Sequence, residues 1–316
     1  MKSRVLVVSS ANMDFVQRVA KLPEAGQTSV TETDYSYIPG GKGANSAVSF
    51  ARLGADVVFC SRVGNDTNGK TLRRIYEKEG IDTRFLAEDN ENSTGLASII
   101  VEEGGANRII VYPGANRHID NSDIEEAFTT YPDCVYAQFE IPFEAVVCAA
   151  EFAEEKGIPF FVDAGPVSDE VDLSRLKKVE ILSPNESECE ALTGIYPDSI
   201  ENCLKAAIRI CNMVEVKYVV IKLGNRGAFV YDGKYFHIVQ GHRVCAVDTT
   251  AAGDIFTASL TYAYLKKGDI LEATRFANLA AGLSVTREGA FPSIPTLSEV
   301  KEFAKKMKNK EIIRDE

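Results

Sequence analysis

The most restrictive feature of this sequence is a series of short, continuous apolar runs separated by stretches with helical periodicity. Five such runs are rich in β-branched residues and occupy residues 5–8, 57–60, 134–139, 159–163 and 218–224. The helical patterns occupy residues 43–53, 68–79, 143–156, 200–213, 253–267 and 270–286. Strands that are apolar on both faces and alternate with helices predict an α/β fold whose mainly parallel sheet is covered by helices on both sides.

Two segments break this rhythm and predict a second, smaller sheet. Residues 28–38 alternate in the manner of a strand and place Thr31, Thr33, Tyr35 and Tyr37 on one face. Residues 95–116 are typical of two strands around a Gly104-Gly105 turn. We therefore expect one domain over residues 1–316 with a small β lid, its strands inserted at about 12–40 and 94–113.

Composition argues against several classes of function. The 316 residues carry a formal net charge of −11, so neither nucleic acid nor an anionic membrane is expected as a main partner. The apolar start "VLVV" is too short for a signal peptide, and the longest uncharged runs are too short to span a membrane. The seven cysteines form no C-x-x-C motif, which predicts a cytoplasmic protein without a zinc cage or disulfide framework.

The stretch "GNDTNGKT", residues 64–71, matches the phosphate-loop pattern G-x-x-x-x-G-K-[ST]. A working phosphate loop wraps backbone N–H groups around phosphate oxygens, so it favours glycine and avoids negative charge. This stretch has no glycine between Gly64 and Gly69 and places Asp66 inside the loop. We therefore expect Asp66 or Asn68 to cap a surface helix, with Lys70 in solvent.

The stretch "AVDTTAAGDIF", residues 246–256, is a stronger signal of phosphate chemistry. Small residues lead into a helix whose first turn carries Asp254. Small side chains let an anion approach the N–H groups at a helix N-terminus, where the helix dipole also favours negative charge. An anion cradle beside a carboxylate base is what phosphoryl transfer to an alcohol needs. The alternative is that Asp254 only caps the helix.

A second polar cluster lies early in the chain, in "IPGGKGANSAVSFARLG", residues 38–54. Its glycines permit unusual backbone angles, and Lys42 and Asn45 offer donors for sugar hydroxyls or phosphate. The alternative is a flexible turn followed by an alanine-rich core helix. Upstream, Asn12 and Asp14 are expected at the C-terminal edge of the first strand, where open α/β sheets bind ligands.

Taken together, "GGKGAN" near residue 42 and "DTTAAGD" near residue 250 resemble the two signatures of the PfkB carbohydrate kinases. The similarity continues in order, at the spacing of the family, through "ANMD", "QFEIP", "SPNESECEALTG", "KLGNRGAFV" and "SVTREGAFPSIP". It implies a ribokinase-like three-layer α/β/α sandwich with a mainly parallel sheet and a small β-sheet lid. It also implies a cytoplasmic enzyme that transfers the γ-phosphate of ATP to O5 of D-ribose, with Mg²⁺ and K⁺ as cofactors.

Other functions stay open at this point. Related kinases of the same family act on 2-deoxyribose, fructose or a nucleoside. A phosphate-loop ATPase would leave "DTTAAGD" and "GGKGAN" without a role, and a non-catalytic sugar-binding module would leave Asp254 without one.

The resemblance also implies roles for individual residues. Asp254 is the base, and the anion hole over the γ-phosphate is formed by Ala251, Ala252 and Gly253. The sugar-binding positions are Asn12, Asp14, Gly41, Lys42, Gly43, Ala44, Asn45, Glu140 and Asp254. The ATP-binding positions are Asn185, Lys222, Leu223, Gly224, Asn225, Arg226, Gly227, Gly253, Asp254 and Asn278. The K⁺ positions are Asp248, Thr250, Ser284, Arg287, Gly289 and Ser293, and the Mg²⁺-linked N-x-x-E motif is formed by Asn185 and Glu188.

The lid also predicts a homodimer. One face of a small projecting sheet can close over the sugar, while its other apolar atoms and unpaired edges meet water. Pairing two lids about a two-fold axis covers those surfaces, and relatives that resemble this chain assemble in that way. The expected contributors are Tyr35, Tyr37, Ile99 and Ile109.

Overall fold

The computed structural model describes residues 2–31, 33–103 and 107–314, with residues 308–314 as backbone only. Its central sheet consists of β1 (Arg4–Val8), β4 (Asp56–Gly64), β5 (Leu86–Asp89), β8 (Cys134–Gln138), β9 (Phe160–Asp163), β10 (Lys178–Ser183), β11 (Glu215–Lys222), β12 (Ala228–Tyr231) and β13 (Phe236–Val239). The strand order is β13-β12-β11-β10-β9-β8-β1-β4-β5. Neighbouring strands pair in parallel, except that β12 is antiparallel to both β11 and β13.

Helices cover both faces of this sheet. They are α1 (Lys42–Leu53), α2 (Thr67–Lys78), α3 (Asn121–Ala127), α4 (Phe143–Glu155), α5 (Glu186–Thr193), α6 (Ile200–Met213), α7 (Ala252–Lys267), α8 (Ile270–Ser284), α9 (Ala290–Ser293) and α10 (Leu297–Arg314). Alternate residues of β1 belong to two separate apolar cores. Val5 and Val7 pack with residues of α1, α7 and α8, whereas Leu6 and Val8 pack with residues of α4 and α6. The predicted three-layer α/β/α sandwich is confirmed.

The second sheet has four strands. They are β2 (Asn12–Val19), β3 (Ser36–Gly40), β6 (Gly95–Glu102) and β7 (Asn107–Tyr112), in the order β3-β2-β6-β7. Strand β2 pairs in parallel with β6, and the two outer pairs are antiparallel. We call this sheet the lid. The predicted turn at Gly104-Gly105 lies outside the described residues.

Two local predictions were wrong. The strand expected over residues 28–38 begins only at Ser36, and the Thr31 and Thr33 hydroxyls donate instead to the Arg18 carbonyl at 2.6 and 3.0 Å. The lid strands expected at about 94–113 agree with β6 and β7, which end at Tyr112 and are followed by a short 3-10 helix. Asn12 and Asp14 do not end the first strand, which stops at Val8; they lie in lid strand β2.

The described residues include no helix that is both long and apolar enough to cross a membrane. All seven cysteines are free thiols, and five of them are buried.

Candidate active site

Polar side chains meet at the carboxyl ends of the central parallel strands. Gln138 ends β8, Asp163 ends β9 and Lys222 ends β11, and each of these side chains is more than nine-tenths buried. The N-terminus of α7 meets the same edge and brings Asp254 to it. Ligands of open α/β sheets bind at this edge, so we place the candidate active site here.

Asp254 lies at the centre of the site and is 4% exposed. Its Oδ2 accepts a hydrogen bond from Asn45 Nδ2 at 2.9 Å, and its Oδ1 accepts one from Gln138 Nε2 at 3.3 Å. Burial raises the pKa of Asp254 to about 6, although the ammonium of Lys42, 3.6 Å from Oδ1, opposes the rise. A carboxylate with such a pKa is ionised at neutral pH and is a stronger base than an exposed aspartate.

The glycines around Lys42 allow this approach. Gly41 has a φ of +88°, and a Cβ there would lie 2.9 Å from the backbone nitrogen of Asn12. A Cβ on Gly43 would lie 2.4 Å from Ser9 Cβ. The start of α1 therefore packs directly on the segment between β1 and β2, which brings Lys42 to Asp254. The nearby Asp254 carboxylate raises the pKa of Lys42, which stays protonated.

The predicted sugar-binding side chains lie on both sides of this contact. Glu140 accepts hydrogen bonds from the Ser10 hydroxyl and from the backbone N–H of Lys42, the latter at 2.8 Å. Asn12 is 3% exposed, and its Oδ1 accepts a hydrogen bond from Asn116 Nδ2 at 2.8 Å. Asn116 was not predicted, because a lone asparagine after a strand carries no pattern of its own.

Asp14 and Asn45 complete this side of the site. Asp14 is 9% exposed, and its pKa is raised to about 7 by burial and by the carboxylates of Glu140 and Asp254. Among the described residues, Asn45 Oδ1 is a buried acceptor without a hydrogen-bond partner. Unpaired buried polar atoms are costly, so this acceptor is suited to a hydroxyl group of a ligand.

Two cavities lie near Asp254, which lines neither of them. One, of about 460 Å³, lies between the lid and the loops around Asp248 and Gly289, and Asp14 lines it. The other, of about 660 Å³, lies beside the N-terminus of α7. The predicted residues that line the larger cavity are Lys222, Gly224, Asn225, Gly227, Ala252, Gly253 and Asn278. The lining residues that sequence reasoning missed are Gly241, His242, Arg243, Val244, Ala246, Thr249, Phe256, Ala281, Gly282 and Val285.

Several predicted residues do not line either cavity. Arg226 instead donates to Glu186 and to two backbone carbonyls, and Leu223 is buried in the core. Ala44 packs in the second apolar core, on the side of the sheet opposite to Leu223, and its N–H donates to the Ser10 carbonyl at 3.0 Å. Asn278 does line the larger cavity, but its amide nitrogen is already used, because it donates to the Val239 and Gln240 carbonyls at 3.1 Å each.

The predicted anion hole surrounds the first residues of α7. Ala251 precedes the helix in the left-handed conformation, with a φ of +61°, which is uncommon for a residue with a side chain. The Ala252 N–H donates to the Thr249 carbonyl at 3.2 Å. A Cβ on Gly253 would lie 3.6 Å from Lys222 Nζ, so the glycine leaves the approach to that ammonium open. N–H groups in a first helical turn lack intrahelical acceptors and suit a phosphate oxygen.

The N-x-x-E pair lies close to Lys222. Asn185 and Glu188 form a reciprocal cap of α5, in which each side-chain oxygen accepts from the other residue's N–H at 2.8 Å. The Lys222 ammonium contacts Asp163 and lies 3.8 Å from Glu188 Oε2. Among the described residues, no group of three His, Cys, Asp or Glu side chains could hold a metal by itself. The remaining oxygen lone pairs fit Mg²⁺, which binds hard oxygen donors and keeps waters and phosphate oxygens as ligands.

The predicted K⁺ positions lie on two chain segments, residues 248–250 and 284–293, which meet at Asp248 and Gly289. Asp248 accepts from the Thr250 N–H at 2.9 Å, from the Thr250 hydroxyl at 2.6 Å and from the Gly289 N–H at 2.9 Å. The Ser284 and Ser293 hydroxyls donate to carbonyls within their own helices. The Arg287 side chain pairs with Glu299, so this residue can offer a cation only its carbonyl oxygen.

The phosphate-loop match does not lie at this site. Asp66 caps α2 by accepting from the Gly69 N–H at 2.8 Å, as predicted, and Asn68 is not the cap. Lys70 is exposed, as predicted.

A helix N-terminus beside a buried carboxylate base, next to a cavity of about 660 Å³, fits a phosphotransferase that acts on an alcohol. The model of the family described as "pfkB family carbohydrate kinase" matches residues 2–297. The chain belongs to this family and is a carbohydrate kinase. Transfer of phosphate from ATP in this family implies Mg²⁺ as the companion of the nucleotide.

Three similar proteins illustrate the relationship. A ribokinase of Haemophilus influenzae is 38% identical over 308 residues, which cover 96% of this chain and 99% of that protein. A deoxyribokinase of Salmonella typhi is 31% identical over 301 residues, 95% and 98% of the two chains. The solved structure of Arabidopsis thaliana ribokinase complexed with ribose and ATP has a TM-score of 0.86 and 31% identity, and the match covers 96% of this chain and 99% of that one.

Proposed function

We propose that this protein transfers the γ-phosphate of ATP to O5 of D-ribose and forms ribose 5-phosphate and ADP. The observation that carries the proposal is the position of Asp254, a buried base in the first turn of α7, directly after Ala252 and Gly253, which line the larger cavity. The ribokinases among its relatives and the ribose and ATP in the Arabidopsis thaliana structure support the choice of substrates.

In this proposal ribose binds under the lid with its primary hydroxyl toward Asp254. Asn12, Asp14 and Glu140 supply the paired acceptors and donors that secondary hydroxyls need, and Asn45 Oδ1 accepts from one further hydroxyl. A site built from such groups discriminates against a sugar that lacks a hydroxyl, because buried polar atoms then lose their partners.

ATP occupies the larger cavity, with its γ-phosphate against the first turn of α7. As the bond from O5 to the γ-phosphorus forms, the bond from that phosphorus to the β–γ bridging oxygen breaks, and Asp254 takes the proton of the hydroxyl. The N–H groups of Ala251 and Gly253 and the ammonium of Lys222 stabilise the negative charge of the transferring phosphoryl group. Asn185 and Glu188 would hold Mg²⁺ through its waters, and the ion neutralises phosphate charge when ATP is bound.

A kinase for 2-deoxyribose is the second candidate, because a deoxyribokinase is among the similar proteins. Asn12 and Asp14 favour ribose, because two acceptors beside the ring are suited to the hydroxyls at C2 and C3, and 2-deoxyribose lacks the one at C2. The test is a coupled ADP-release assay with ATP, Mg²⁺ and a panel of ribose, 2-deoxyribose, fructose and nucleosides. We expect the highest kcat/KM with ribose. A panel in which another acceptor is turned over and ribose is not would reject the assignment.

The proposal includes K⁺ as an activator. Asp248 accepts hydrogen bonds from Thr250 and Gly289, next to the segment that leads into α7, so a cation bound there would neutralise a half-buried charge and stiffen the anion hole. Hydrogen bonds from Thr250 and Gly289 outweigh burial and lower the pKa of Asp248, which favours the anion that a cation requires.

The proposal also includes a homodimer joined through the lid, in a reducing, cytoplasmic compartment that keeps the thiols free. All six residues of edge strand β7 are exposed, among them Ile110 at 72%. The four predicted contributors lie on two faces of the lid. Tyr37 lies on the face where it contacts the Phe15 ring. Ile99 lines the smaller cavity on the opposite face, and Ile109 lies on that face too because it pairs in register with Ile99. An exposed apolar edge strand is a liability that pairing with a second lid would remove.

A further inference from the structure

The aspartate of the phosphate-loop match makes more contacts than a helix cap requires. Asp66 Oδ1 accepts from the Gly69 N–H at 2.8 Å, which is the capping bond. The same carboxylate also accepts from the Thr94 hydroxyl at 2.7 Å and, through Oδ2, from the Thr94 N–H at 2.8 Å. Thr94 is 2% exposed, and its hydroxyl oxygen accepts from the Gly64 N–H at 3.0 Å. One carboxylate therefore connects the end of β4, the start of α2 and the residue before lid strand β6.

The glycines of the same motif permit this packing. A Cβ on Gly64 would lie 2.5 Å from the Thr94 nitrogen, and a Cβ on Gly69 would lie 2.1 Å from the Gly64 carbonyl oxygen. Both positions exclude a side chain because backbone atoms occupy the space. The pattern that resembles a phosphate loop thus has a structural cause, which is the close approach of three backbone segments around Asp66.

The residue held by Asp66 lies directly beside the candidate sugar site. Thr94 is followed by Gly95, which begins β6 and pairs in register with Asn12. A Cβ on Gly95 would lie 2.1 Å from Asn12 Oδ1 and 2.3 Å from Asn116 Nδ2. The backbone at residues 94–95 is therefore the surface against which this amide pair is held.

We infer that Asp66 is a positioning residue for the sugar site, which fixes Thr94 and Gly95 and thereby holds the Asn12–Asn116 pair in place at the base of the lid. The inference rests on the proposed function for the identity of the sugar. Hydrogen bonds from Gly69 and Thr94 outweigh the effect of burial and lower the pKa of Asp66, so the carboxylate stays ionised at neutral pH.

The variant Asp66→Asn tests this role. Asparagine caps a helix as well as aspartate does, so α2 keeps its cap. Its amide nitrogen cannot accept from Thr94, so one charge-assisted hydrogen bond is lost. We expect the KM for ribose to rise about tenfold, while kcat and the KM for ATP change by less than about threefold. The matched control is Asp269→Asn, the same substitution at the cap of α8, which accepts from Leu271 and Glu272. It should leave all three constants unchanged.

Two variants at Thr94 make the test independent of the cap. Thr94→Ser keeps the hydroxyl and the N–H, and should have the ribose KM of the wild type. Thr94→Val keeps the shape but removes the hydroxyl, and should raise the ribose KM in the same way as Asp66→Asn. A folded Thr94→Val protein with the ribose KM of the wild type would overturn the inference, even where Asp66→Asn fails to fold.

Hydrogen–deuterium exchange separates this inference from the choice of substrate. Asp66→Asn should increase exchange in β2 and β6 and leave α5 and α6 unchanged, whereas Asp269→Asn should leave the lid unchanged. If the wild-type enzyme does not phosphorylate ribose but Asp66→Asn still causes this change in exchange, the proposed function is refuted and the positioning role is supported. An active enzyme in which neither the ribose KM nor lid exchange responds to Asp66→Asn would refute the positioning role alone.

Discussion

Removal of the Lys42 ammonium should shift the pH dependence of catalysis in a direction that the site geometry fixes. The reaction needs Asp254 ionised, so the rate falls on the acid side as that carboxylate is protonated. Its pKa of about 6 places the acid limb of the wild-type profile near pH 6. Lys42 lowers this pKa, so Lys42→Met should move the limb to higher pH.

The size of the shift can be estimated from one distance. The Lys42 ammonium lies 3.6 Å from Asp254 Oδ1. With an effective dielectric constant of about 20, two unit charges at such a distance interact by about 4–5 kcal/mol, or on the order of three pKa units. The Lys42 side chain is 32% exposed, and water screens part of this interaction. We therefore expect the acid limb to move up by about one to two units, to about pH 7–8.

The assay is the initial rate of ADP release from pH 5 to 9 at saturating ATP, with kcat/KM for ribose as the fitted quantity. Lys70→Met is the matched control, because Lys70 is exposed on α2 and should leave the limb in place. Asp14 also titrates in this range, but its raised pKa comes from burial and neighbouring carboxylates, so its contribution should not follow Lys42. An active Lys42→Met enzyme with an unmoved acid limb would refute the electrostatic account of Asp254.

Three further predictions concern the base, the cation and the assembly. Asp254→Asn should lower kcat by roughly 10²–10⁴-fold, while its affinity for ribose, measured by calorimetry, is retained. Lys70→Ala should keep the wild-type kcat. Loss of ATP binding in Lys70→Ala but not in Asp254→Asn would support the phosphate-loop alternative. K⁺ should activate more than Na⁺ or Li⁺, and Asp248→Asn should abolish the difference; equal rates in K⁺ and a large organic cation would remove the role of the site. Light scattering after size-exclusion chromatography should show a dimer at micromolar concentration. Ile110→Asp should convert this dimer to a monomer, whereas the control Ile208→Asp, on α6, should not. A wild-type monomer would contradict the proposed interface.

Much of the main domain was predictable because its signal is local. The five apolar runs identified β1, β4, β8, β9 and β11 but not β5, β10, β12 and β13, and the six helical patterns differ from α1, α2, α4, α6, α7 and α8 by two residues at most. Short elements such as α3, α5 and β12 were missed, since four to eight residues carry too little periodicity to separate them from their surroundings.

The lid was only partly predictable, because its strands are defined by pairing. Asn12–Val19 continues almost directly from β1, and only its pairing with β3 and β6 assigns it to the second sheet. The alternation of residues 28–38 predicted a strand that local threonine hydrogen bonds prevent. In the site, the two signature stretches identified Asp254, Lys42 and Asn45. The partner Gln138 begins the quoted stretch "QFEIP", from which only Glu140 was assigned a role. The partner Asn116 lies in a distant part of the chain, where no short pattern marks it.

The position of the new phosphate ester on the product tests the central claim most directly. Wild-type enzyme, D-ribose labelled with ¹³C at C5, ATP and Mg²⁺ are incubated, and the product is examined by ³¹P and ¹³C NMR. Transfer to the primary hydroxyl by Asp254 predicts a phosphate monoester whose phosphorus couples to the labelled C5, and Asp254→Asn should suppress its formation. A phosphate ester at another carbon, or release of inorganic phosphate without any phosphorylated ribose, would contradict the account.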